Sequence, residues 1–124
     1  MKILIVSAFP TITRLLESML ADLGFRGAET AAGSDAALRK IRSGKFRLVL
    51  CDRELAPDSG LDLLEKVRAE ARNANLLFVL MFADSSAEKI DEAYTGGADG
   101  CLVKPFDITA VSSAIACALS TADA

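Results

Sequence analysis

Histidine and tryptophan are absent from this 124-residue chain, and it has only one tyrosine and three prolines. Its three cysteines stand in no CxxC or other metal-ligand spacing, and without histidine they have no imidazole partner for a metal site. An odd number of cysteines cannot form a complete disulfide framework. Long apolar runs are missing as well. The first one stops four residues after Lys2, with Pro10 and Arg14 close behind, which fits neither an export signal nor a membrane span. The formal charge is −3 and no Lys/Arg cluster stands out. This argues against autonomous binding to nucleic acid or to an anionic membrane. There is no linker, repeat or low-complexity segment, so residues 1–124 are expected to form a single domain with no output domain.

What the chain has is an ordinary globular balance of 52% hydrophobic and 25% charged residues. A chain of this size buries roughly two thirds of the surface its unfolded form exposes. Cys51 and Cys101 adjoin apolar runs, which predicts buried free thiols and a reducing, cytoplasmic setting.

Short apolar runs alternate with helical patterns. Residues 2–6 read as a strand. Ile12, Leu15, Leu16, Met19, Leu20 and Leu23 then follow the spacing of one helix face, closed by Gly24. A second strand is expected near 27–31. It is followed by a helix capped by Ser34 that carries Ala37, Leu38 and Ile41 and ends at Gly44. The third strand, 47–52, reads RLVLCD. After the turn APDSG, Ser59 and Asp62 form a capping-box pattern opening a helix with Leu63, Leu64 and Val67. The run 76–82, LLFVLMF, reads as a central strand covered on both faces. Ser85 with Glu88 is a second capping-box pattern, and that helix ends at Gly96-Gly97. A fifth strand, 100–103, precedes a last helix over about 107–120, with Ile108, Val111, Ile115 and Leu119 as its core stripe.

Such alternation predicts a doubly wound parallel sheet with helices on both faces. Ligands of these folds bind beyond the carboxyl ends of the strands. There the sequence places Ser7-Ala8, Asp52-Arg53-Glu54, Phe82-Ala83-Asp84 and Lys104-Pro105-Phe106. An aspartate beside a lysine stays ionised and can act as a nucleophile or an ion-pair partner. Lysine before proline is pushed to an extended conformation.

LVLCD at 48–52, the Gly60-Leu61 helix start, GADG at 97–100 and KPF at 104–106 resemble a two-component response-regulator receiver domain, in order and spacing, over nearly the whole chain. The resemblance implies a flavodoxin-like sheet of order 2-1-3-4-5 with five helices, and a cis Lys104-Pro105 bond. It makes Asp52 the position that accepts a phosphoryl group from a histidine kinase and Lys104 the position that contacts the phosphoryl oxygens. The family keeps two acids after the first strand to hold Mg²⁺, a hydroxyl residue ending the fourth strand and a switching aromatic in the fifth. This sequence has Ser7-Ala8, Phe82 and Cys101 at those places.

These departures predict poor Mg²⁺ binding, since Mg²⁺ wants hard oxygen ligands. Asp52 is then the remaining inward acid, with Glu54 a second ligand only if its side chain turns in. Ser7 is expected either to donate to a bound anion or to cap the first helix. A direct Asp52–Lys104 ion pair is expected, and the Phe82 ring is expected to fill space near Cys101, freezing the family's switch. The leading reading is an atypical, non-enzymatic receiver that acts by binding a histidine kinase or another signalling protein. Its alternatives are a functional phospho-acceptor, a flavodoxin-like nucleotide or flavin binder, and a phosphatase-like hydrolase using Asp52 and Glu54. Residues 108–122 carry no charge, which predicts either a docking face, for a second copy or a partner, or an Ala-rich solvated helix.

Overall fold

A computed structural model describes residues 1–84 and 86–122. Five strands, β1 (Ile3–Val6), β2 (Glu29–Ala31), β3 (Leu48–Asp52), β4 (Leu77–Phe82) and β5 (Gly100–Val103), alternate with five α-helices. The helices are α1 (Pro10–Asp22), α2 (Ser34–Ile41), α3 (Gly60–Ala69), α4 (Ala87–Thr95) and α5 (Ile108–Ala122). All strand pairs are parallel, and the sheet order is β2-β1-β3-β4-β5. The fold is the expected one.

The period of a strand sorts the core into two layers. Ile3 and Ile5, Leu48 and Leu50, and Leu77, Val79 and Met81 face α1 and α5, against Leu16, Leu20, Val111 and Ile115. Leu4, Val6, Val49, Cys51, Phe78, Leu80 and Phe82 face the other way, against Ala37 and Ile41 of α2, Leu63, Leu64 and Val67 of α3, and Ala93 of α4. All of β1, β3 and β4 is buried, as expected for strands covered on both faces.

Local chemistry sets the helix ends. Pro10 occupies the first turn of α1, where its fixed φ fits and its missing N–H costs no bond. Ser59 Oγ accepts from Asp62 N while Asp62 Oδ2 accepts from Ser59 N, a complete capping box. Two cap assignments change. Gly33, not Ser34, is the N-cap of α2, and Ser34 lies inside the helix with its buried hydroxyl unpartnered. The expected Ser85 cap lies outside the described residues; Ser86 caps α4, its Oγ accepting from Lys89 N at 3.4 Å. At α5, Asp107 Oδ1 accepts from Ala110 N at 2.8 Å. Its inner stripe is Val111, Ala114, Ile115 and Ala118, whereas Ile108, expected in the core, is exposed. Leu15 of α1 is exposed too.

The run 39–47 does carry five cations, Arg39, Lys40, Arg42, Lys45 and Arg47. Lys40 is paired with Glu29 and Arg42 with Glu70. Lys40 and Lys2 together hold the Glu29 carboxyl down at about 2. Of the thiols, Cys51 is buried as expected, Cys101 is only half-buried and Cys117 is exposed.

Candidate functional site

The parallel register brings four strand ends to one edge: Val6 lies beside Cys51, Asp52 beside Met81, and Phe82 beside Val103. Asp52 is the last residue of β3 and almost fully buried. Lys104 follows β5, and its peptide bond to Pro105 is cis, as expected; the Ala56–Pro57 bond, about which nothing was expected, is cis as well. Lys104 Nζ lies 2.7 Å from Asp52 Oδ2, forming the anticipated ion pair.

Ser7 does not cap α1, whose N-cap is Phe9 without a side-chain bond; it bridges the strand end and the turn. Its Oγ donates to the same Asp52 Oδ2 at 3.3 Å and accepts from Phe9 N at 3.1 Å. It is buried, while Ala8 beside it is exposed and brings no polar side chain to the site. Asp52 Oδ1 accepts the backbone N–H of Glu54 at 3.3 Å, but the Glu54 residue is exposed. Thus Glu54 reaches Asp52 by its main chain.

Mg²⁺ requires near-octahedral oxygen coordination, usually with one or two carboxylates and several waters. Here a single buried carboxylate has one oxygen taken by an ammonium and a hydroxyl, and the other by an amide. No cluster of three or more His, Cys, Asp or Glu residues among the described residues could hold a metal. Both oxygens of the Asp52 carboxylate are thus already engaged within the chain.

Phe82 is fully buried on the α2–α3–α4 side of the sheet, in the same apolar cluster against which Cys101 packs. Its ring therefore points inward, as anticipated. Burial raises the Cys51 thiol well above its usual range, with the charge of Asp52 adding to the effect. Burial also raises Cys101, and it pushes the hydroxyl of nearby Tyr94 up to about 12. Asp84, just past β4, is held below the usual carboxylate range by the Ser86 backbone N–H and then by Lys89.

Two participants were missed in the sequence. The Phe9 ring lies over Lys104 Nζ, 5.1 Å from ring centre to nitrogen. Gly60, the first residue of α3, packs on the strand end itself. A Cβ at Gly60 would sit 2.3 Å from Asp52 O and 2.9 Å from Arg53 Cα, and the Gly60 N–H donates to Arg53 O at 2.8 Å. Gly60→Ala must push α3 away from β3. It is expected to lower stability by about 1–3 kcal/mol, as overpacking does, in urea unfolding, and to shift the amide signals of Asp52 and Arg53.

A flavodoxin-like sheet with a carboxylate and an ammonium meeting at its carboxyl edge defines the receiver class of α/β fold. The chain belongs to the response regulator receiver domain family, whose sequence model matches residues 3–116. It is 38% identical over 106 residues to the chemotaxis protein CheY of Pseudomonas aeruginosa, covering 86% of each chain. It is 37% identical to CheY-3 of Vibrio cholerae, covering 86% of this chain and 82% of that one. Among solved structures it is similar to the chemotaxis response regulator CheY4 of Vibrio cholerae, with a TM-score of 0.87 at 26% identity over 94% of this chain and 97% of that one. A CheY-like receiver domain protein from Methanospirillum hungatei gives 0.85 at 27% identity, over 98% and 95% of the two chains. Receiver domains are signalling modules of two-component systems, and no helix among the described residues is long and apolar enough to cross a membrane.

Proposed function

We propose that this chain is an atypical receiver that signals through protein contacts and takes up phosphoryl groups poorly. The observation that carries the reading is the convergence of Lys104 Nζ and Ser7 Oγ on one oxygen of Asp52, the single buried carboxylate of the site. In phosphoryl transfer an Asp52 oxygen would attack phosphorus while the leaving group departs in line. A bridging metal supplies several kcal/mol of charge stabilisation to such a step. Here Ser7 and Ala8 offer no carboxylate for one. Phe82 offers no hydroxyl to the transferred group, and its buried ring takes up the room behind the site that a moving aromatic would need. The partner is a histidine kinase or another signalling protein. The name of the relatives makes chemotaxis the first pathway in which to look for it.

A second reading, a working phospho-acceptor, is favoured by one feature: Asp52 and Lys104 stand together at the strand ends, 2.7 Å apart. Incubation with Mg²⁺ and a small-molecule phosphodonor, read by intact mass beside Asp52→Ala, separates the two. The parent chain is expected to show no more adduct than the Asp52→Ala control. Substantial adduct on the parent alone would establish the second reading.

A further inference from the structure

Phe9 is a large aromatic residue left 44% exposed next to a buried ion pair. Core packing does not account for it, and as N-cap of α1 it makes no side-chain cap bond. Its contacts form a closed circuit. The Phe9 N–H donates to Ser7 Oγ, Ser7 Oγ donates to Asp52 Oδ2, Lys104 Nζ reaches the same oxygen, and the Phe9 ring lies over that ammonium. Both ends of the circuit are one residue. The Lys104 side chain is 19% exposed, and its ammonium meets Asp52 and the ring.

We infer that Phe9 is a positioning residue that clamps Lys104 onto Asp52. The inference rests on the ion-pair reading of the site and deepens it. An aromatic face attracts a cation through its quadrupole, which an aliphatic side chain of similar bulk cannot do. Moving Phe9 therefore frees the ammonium and, through Ser7, removes a hydrogen bond from the hydroxyl that faces Asp52. The start of α1 becomes the element that sets how tightly the carboxylate is held.

The test is competitive acetylation of the full chain with limiting acetic anhydride, read residue by residue by mass spectrometry, with exposed Lys45 as internal standard. In the parent, Lys104 is expected to label much more slowly than Lys45. Phe9→Leu is expected to raise Lys104 labelling on the order of five-fold, the size of a modest cation–π contact, while Phe9→Trp stays at or below the parent. If Lys104 labels as fast as Lys45 in the parent, the ion-pair reading fails and the clamp with it. If the parent labels slowly and Phe9→Leu equally slowly, the clamp alone fails. An equal rise in the Leu and Trp variants also overturns it. Labelling needs no phosphodonor, so these outcomes are independent of whether Asp52 accepts a phosphoryl group.

Discussion

Ser7→Asp/Ala8→Asp is expected to take up phosphoryl groups on Asp52 at least about 10²-fold faster than the parent, in a reaction that now depends on Mg²⁺. Position 7 is buried and already touches Asp52 Oδ2, so a carboxylate there lies beside the acceptor. The new acids restore the hard oxygen ligands that Mg²⁺ needs, and the metal can then draw charge from the transferring group. They also compete with Asp52 for Lys104, freeing the oxygen it now holds. Adding Phe82→Thr should contribute further, since one well-placed oxyanion donor is worth roughly 10²–10³ in rate. That third change removes a fully buried ring and opens a cavity at a cost of about 3–5 kcal/mol, so the double variant is the cleaner experiment. Rates by intact mass, with and without EDTA, decide it. An unchanged, metal-indifferent rate in the double variant would sink the account of why the parent is slow.

Lys104→Met is expected to destabilise the chain by about 3–5 kcal/mol, because it leaves the Asp52 charge buried without its partner. For a domain of this length that lowers Tm by roughly 10–20 °C. Asp52→Asn/Lys104→Met should recover most of the loss, since no charge is left unpaired, the Asn carbonyl can still accept from Glu54 N and its amide NH2 can donate to Ser7 Oγ. A double-mutant cycle in urea reads the coupling directly. If the single and double variants unfold at the same denaturant concentration, the pair contributes nothing and the site is held together by something else.

The alternation of strands and helices was legible because each buried strand is nearly continuous in apolar residues and each crossover carries helical spacing; the strand order came from the resemblance to the receiver family. LVLCD and KPF identified Asp52 and Lys104 by themselves, since a lone acid or ammonium at the end of a buried strand has few places to go. Phe9 was not legible. An aromatic after a strand reads as core or loop, and its contact with Lys104 depends on a turn that Ser7 shapes by accepting the Phe9 N–H. Gly60 was read only as a helix start, because its real constraint, the approach to the Asp52 carbonyl, is tertiary. Ser34 was a reasonable cap by residue type, but the extended backbone falls one residue earlier, at Gly33. Ile108 fitted the helical spacing of α5, yet it is the first residue of the helix and stays exposed, the inner stripe beginning a turn later at Val111.

Asp52 is anchored at the end of the middle strand, bonded on one side to β1 and on the other to β4. Local openings of a protein start where hydrogen bonds are solvent-exposed and contacts are few, and reach the central strands only near global unfolding. The floor of the site is therefore a fixed reference over the native lifetime of the protein. A change at Asp52 would therefore be felt first at the rim, in the β1–α1 turn and the segment after β5, whose Ser7, Phe9 and Lys104 meet around it.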